Sequence, residues 1–137
     1  MNRVKIDPVW LMSIQKPARY IGGEWNSIVK NHDSTDVKVA LAFPDVYEVA
    51  MSHLGLKIIY SVINKRKDAL AERVYAPWVD MEKMMRQKKI PLFSLENHCP
   101  VRDFDVLGFT MPYEMSYTNV LNMIDLAGIP VHADERT

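Results

Sequence analysis

A chain of 137 residues, 48% of them hydrophobic, is long enough for one globular domain with a packed core. Seventeen basic and seventeen acidic residues cancel, so no net field draws the molecule to nucleic acid or an anionic membrane. The single cysteine, Cys99, excludes an internal disulfide, a four-cysteine zinc site and an iron–sulfur cluster held by this chain alone.

Residues 1–36 read as an arm with short helical pieces, broken by Pro8, Pro17, the Gly22-Gly23 pair and the polar stretch 31–36. Its apolar stretches, Val9 to Met12 and Tyr20-Ile21, can dock either on the chain's own domain or on a neighbouring one. The start, Met1 to Lys5, leads into no signal-peptide core, and no apolar run approaches the roughly 20 residues of a spanning helix. A cytoplasmic protein is therefore expected.

From Val37 a strand–helix rhythm begins, and residues 37–137 read as the domain proper. Val37 to Phe43 is apolar with one lysine, the pattern of a strand buried on both faces. Leu54, Ile58, Ile59, Val62 and Ile63 then recur at helical spacing, closing on the cations Lys65 to Lys67 that complement the helix dipole. A second strand is centred on Val74-Tyr75. Asp80 is placed to cap a helix carrying Met81, Met84 and Met85, whose methionines read as adaptable core packing. Pro91 to Leu95 reads as a third, edge-like strand and 105–111 as the fourth. The last helix is expected to be capped by Ser116, to bury Tyr117, Val120, Leu121 and Ile124, and to end at Gly128 with Pro130 beyond. Ile129 to Val131 reads as a nascent further strand, and the stop soon after it suggests a piece of a longer protein. Crossovers of this length force parallel pairing, so the fold class is α/β: a Rossmann-like, doubly wound, mainly parallel sheet of about four strands.

Three of these strands end in a proline with an aromatic beside it: Pro44 with Tyr47, Pro77 with Trp78, and Pro112 with Tyr113. In an open α/β sheet such ends share the edge where ligands bind. A rim of Pro44, Tyr47, His53, Pro77, Trp78, Met111, Tyr113 and Tyr117 suits a broad apolar ligand or a docked partner better than a phosphate. The five glycines form no G-x-G and no Walker loop, which argues against classical NAD or ATP binding. Asp45 lacks the additional acids and the lysine that a phospho-receiver site requires. His53 can contact a cofactor or ligate a metal, or it or Ser52 can simply cap the following helix. Glu48 and Glu114 stand past strand ends as paired acids do, and as solvated loop carboxylates also do. His98-Cys99 is adjacent rather than spaced for chelation, and His32 and His132 sit in polar segments. No catalytic residue and no metal ligand is assigned.

The run Ser52-His53-Leu54-Gly55-Leu56-Lys57-Ile58-Ile59-Tyr60 resembles the P-P-L-G-L-x-Y-L-A segment of cobalamin-binding domains fused to radical S-adenosylmethionine enzymes. Asp105-Val106-Leu107-Gly108-Phe109-Thr110 is similar to their D-[IV]-[IV]-G-[FIL]-[ST] strand. Lys16 to Ser27, Ala40 to Glu48, Met51 to Lys57, Leu70 to Val74 and Ala76 to Trp78 resemble one branch in particular. That branch comprises uncharacterised radical S-adenosylmethionine proteins with an N-terminal cobalamin-binding-like domain, and the likeness runs from about residue 11 to 137. The resemblance implies a non-catalytic N-terminal domain, structural or substrate-docking, partnered with its own C-terminal radical domain. That domain would hold the 4Fe-4S cluster and S-adenosylmethionine in the parent protein. The alternative it implies is cobalamin bound here for methyl or electron transfer, with Pro44, Asp45, Tyr47, Ser52, His53, Leu54, Gly55, Pro77, Trp78, Thr110, Met111 and Tyr113 as contacts. Two family motifs are missing from this chain. There is no C-x-x-x-C-x-x-C, and the D-x-H-x-x-G that supplies an axial histidine is broken by Met51 and Leu56 around His53.

Overall fold

Val37 to Phe43 forms β1, the middle strand of a sheet completed by β2 (Ala69–Tyr75) and β3 (Val106–Phe109) in the order β2-β1-β3. The computed structural model describes residues 3–136, so the arm's first two residues and Thr137 of the domain lie outside the described residues. Both strand pairs are parallel, with Phe43 opposite Tyr75 and Ala42 opposite Phe109, which brings the three C-terminal ends to one edge. Six α-helices accompany the sheet among the described residues: α1 (Pro8–Leu11), α2 (Ala18–Ile21), α3 (Tyr47–Ala50), α4 (Leu54–Lys65), α5 (Val79–Lys88) and α6 (Tyr117–Leu126). None is long and apolar enough to cross a membrane.

The alternation along the strands divides the core in two. Leu41, Phe43 and Ala71 cluster with Leu56 and Tyr60 of α4 on one face. Ala40, Ala42 and Val74 cluster on the other with Met81 and Met85 of α5 and Met123 and Leu126 of α6. Helices on both faces make the sheet doubly wound. The arm joins the second cluster through Trp10, Ile14 and Tyr20. Gly22 permits its passage: the residue has φ +66°, and a Cβ there would collide with the Leu95 carbonyl.

The sheet has three strands among the described residues, not the expected four. Pro91 to Leu95 forms only an isolated antiparallel bridge, Phe93 to Pro100. Its backbone groups are spread over several elements: Leu92 N donates to Leu126 O (2.9 Å), Ser94 N to Cys99 O (2.9 Å) and Leu95 N to Arg73 O (2.8 Å). Ile129 to Val131 forms no strand either; Arg136 caps its carbonyls at Pro130 and Val131, both 2.8 Å away. With one strand fewer than the pattern suggested, two crossovers connect the three strands. β2 starts earlier than its apolar centre implies, because Glu72 and Arg73 are buried in it with partners that the pattern alone does not reveal. Asp80 lies inside the first turn of α5, where the cap position belongs to Trp78.

The outer edge of β2 is closed rather than left open to pairing. Asn64 on α4 donates to Ala71 O (2.9 Å) and accepts from Ala71 N (3.0 Å), as a neighbouring strand would. Glu96 accepts from Arg73 N at 2.8 Å on the same edge.

Candidate functional site

In a 2-1-3 strand order the order of strand addition reverses between β1 and β3, and the crevice at that switch point is where open α/β sheets place ligands. Here the protein's own bonds close it. Pro44 is buried and its carbonyl accepts from Asn119 Nδ2 at 2.9 Å. Asp45 Oδ1 accepts from Val46 N at 2.7 Å, and Oδ2 accepts from the Tyr113 hydroxyl at 3.4 Å. The Asp45 carbonyl takes Ala76 N from the end of β2 at 3.0 Å.

On the β2 side the rim is built from aromatic rings and the arm. Tyr47 packs edge-on to Tyr75, with ring centroids 5.5 Å apart. Its hydroxyl donates to Glu24, and burial together with that bond pushes the phenol up to about 12. Glu24 also pairs with Arg73 Nη1 at 2.6 Å, and Arg73 Nε reaches Glu96 at 2.6 Å. The Arg73 guanidinium lies 5.1 Å from the Tyr60 ring centre, and its Nη2 is buried without a partner among the described residues. Pro77 is half-buried. Trp78 keeps 42% of its surface exposed, sits 5.4 Å from the Arg19 guanidinium, and donates its backbone N–H to the Tyr20 hydroxyl at 3.0 Å. Arg19 grips Glu48 through two bonds (2.8 and 3.0 Å) and Lys16 adds a third (2.9 Å); Arg19 first and Lys16 second hold that carboxyl down to about 2. The space enclosed by Tyr20, Tyr47, Tyr75 and Pro77 is about 20 Å³, the room of one water.

The turn from α3 into α4 carries the remaining residues singled out beforehand. His53 caps α4, its Nδ1 accepting from Leu56 N at 3.2 Å, while its ring lies 5.1 Å from that of Phe43. Gly55 leaves room for this fold-back, since a Cβ there would stand 3.0 Å from the imidazole and the ring would have to shift slightly. Ser52 donates to Val49 O at 3.4 Å, and Leu54 stands out in solvent. On the β3 side Thr110 is half-buried and donates its N–H to Ala42 O at 2.9 Å. Met111 and Tyr113 are exposed, and beyond them so are Met115, at 83%, and, against the expected burial, Tyr117, at 58%, and Leu121; of that helix's expected core residues Ile124 is buried. The strand ends therefore gather the prolines and aromatic residues along one edge. They do so as an exposed apolar surface, not as the wall of a deep pocket.

Sequence reasoning missed a second polar concentration, in the interior. Glu72, 1% exposed, accepts from His32 Nε2 (2.6 Å), Ser94 Oγ (2.5 Å), Asn97 Nδ2 (2.5 Å) and Asn97 N (3.3 Å). One signal pointed there: a glutamate in a run otherwise fit for a buried strand must find donors. His32 itself, in a polar stretch, gave no such sign.

Compared with known proteins, the model of the family described as radical SAM proteins, N-terminal, matches residues 55–137. That span takes in α4, β2, α5, β3 and α6. No curated protein and no solved structure matches the chain.

Proposed function

Because the chain belongs to the family of radical SAM protein N-terminal domains, we propose that it is the non-catalytic N-terminal module of a radical SAM enzyme. Its strand-end rim docks against that enzyme's catalytic region. The 4Fe-4S cluster and S-adenosylmethionine belong to that region, since Cys99 alone supplies one thiolate where a cluster takes four.

One observation carries this reading: the rim is apolar and exposed, yet its crevice is already filled. Met111, Tyr113, Met115 and Tyr117 lie open after β3, and Val49, Met51 and Leu54 after β1. Exposed apolar side chains gathered at one edge of a sheet mark an interaction site. Cofactor pockets, by contrast, enclose roughly 300–1,000 Å³, and the pocket on the β2 side of the rim, between Tyr20, Tyr47, Tyr75 and Pro77, holds about 20 Å³. Hollows of about 300 and 310 Å³ open elsewhere, the first beside the helix ends at 85–91 and 125–128, the second along β3 and α6. The fit to cobalamin at the rim is therefore poor. The Nδ1 of His53 is occupied by its helix cap, and Asn119 and Tyr113 span the switch point. Pro44, Asp45, Tyr47, Pro77, Trp78, Thr110, Met111 and Tyr113 are read here as the frame and face of a docking surface. Ser52, His53, Leu54 and Gly55 are read as its border.

Met115→Glu places a charge on the rim at a side chain that does little for the core. The variant is expected to fold as the parent chain does and to bind the catalytic region at least tenfold more weakly by calorimetry. Hydroxocobalamin titrated into the parent chain is expected to leave the cobalamin spectrum unchanged. Undiminished binding by the variant contradicts docking at the rim, and a stoichiometric spectral shift favours cobalamin in its place.

A further inference from the structure

Three side chains with metal-ligating atoms meet in the interior from distant parts of the chain: His32 from the arm, Glu72 from β2 and Cys99 from the loop before β3. One such atom of each lies within 4.8 Å of the others, and their exposures are 4%, 1% and 0%. The hydrogen bonds around them are unevenly completed. Glu72 has donors on both oxygens, but His32 Nδ1 is buried with no partner among the described residues. Beside it lies a cavity of about 80 Å³ lined by Arg3, Asn31, His32, Asp33 and Cys99, room enough for an ion and a water.

We propose that this cluster is a binding site for one thiophilic divalent cation of the zinc class, with Cys99 Sγ and His32 Nδ1 as ligands. Glu72 acts as the carboxylate that orients His32. Its bond fixes the proton on Nε2 and turns the Nδ1 lone pair free, the arrangement by which metal-binding histidines are commonly held. A sulfur and an imidazole nitrogen select zinc over the oxygen-seeking magnesium or calcium. The charges also balance: the thiol releases its proton to solvent as the sulfur–metal bond forms, and thiolate and carboxylate together neutralise the dication. Water from the cavity fills the remaining positions. A bound ion would tie the arm, β2 and the loop at 97–100 together, so its role is structural clamping. This site lies apart from the rim and does not depend on the docking reading.

Cobalt(II) is the probe, titrated into the full reduced chain. Cys99 is the only cysteine, so a thiolate-to-cobalt charge-transfer band can come from no other residue. The band is expected to saturate at one cobalt per chain and to be displaced by zinc(II), and zinc is expected to raise the melting temperature. The cobalt-loaded chain should show a hyperfine-shifted, exchangeable imidazole N–H, and His32→Gln should weaken binding at least tenfold. Absence of the thiolate band in the unmodified chain overturns the site. Absence of the shifted N–H, or undiminished binding by a folded His32→Gln, overturns His32 as a ligand. The unmodified chain decides the matter even if that variant does not fold.

Discussion

Asn64 does for β2 what a neighbouring strand would do. Both its amide atoms are spent on Ala71, whose backbone is otherwise unpaired on that side and fully buried. Asn64→Ala removes both bonds and leaves a buried N–H and C=O without partners, a loss of about 1–3 kcal/mol for each group so stranded. Urea unfolding should show a lower midpoint with an unchanged slope. Asn64→Asp keeps an acceptor for Ala71 N but no donor for Ala71 O, and should lose part of that stability. Equal stability of the alanine variant and the parent contradicts the role. At this scale the sequence was legible only where chemistry is local. His53 was readable as a cap because it stands one residue before a helical run. The partners of Asn64, Glu72 and Arg73 were not readable, since each bond crosses between elements whose packing no spacing rule specifies.

Among the elements, β1 was legible in full, because an unbroken apolar run between polar flanks can be little else. β2 was half legible: two buried charges hid its first half. α4 was recognised as a helix from its apolar spacing, but most of that stripe does not face the core, Ile63 excepted. Leu56 and Tyr60 are buried, whereas Leu54, Ile58 and Val62 are 69%, 53% and 58% exposed. Fully burying such a side chain is worth at most roughly 1.5–3 kcal/mol and covering these part-exposed ones less, so the exposed stripe adds to the surface that a partner gains by covering. The arm is held differently, by charge as well as by packing. Lys16 and Arg19 clasp Glu48, whose carboxyl is held down to about 2, chiefly by Arg19. Because the folded value lies below the ordinary one near about 4.3, the clasp contributes fully above that range and is lost as pH falls through about 2. Hydrogen exchange at Arg19 and Tyr20, corrected for intrinsic rates, should quicken over that acid window. In Glu48→Gln it should already be fast and should lack this dependence. Identical profiles for the two proteins contradict the clasp.

For the molecule as a whole, parallel strands with a common C-terminal edge followed from the crossover lengths, and the structure has them. The strand count did not follow, because Pro91 to Leu95 has the composition of a strand while its backbone bonds go to β2, α6 and the loop at 99–101. Nor could spacing show that the edge is closed by Asn119 and Tyr113 rather than open, since that depends on which side chains reach across it. What results is a three-layer body with a filled switch point, an apolar rim and, among the described residues, β3 paired on one side only. Such a body has little to hold a small molecule at the strand ends and much to offer a second domain.

Hydrogen exchange of this chain alone and in complex with the radical SAM catalytic region tests that directly. New protection is expected at Tyr47 to Leu54 and Met111 to Tyr117, with residues 125–128 at the opposite edge unchanged. Protection gained at the opposite edge, or none at the rim, would contradict it.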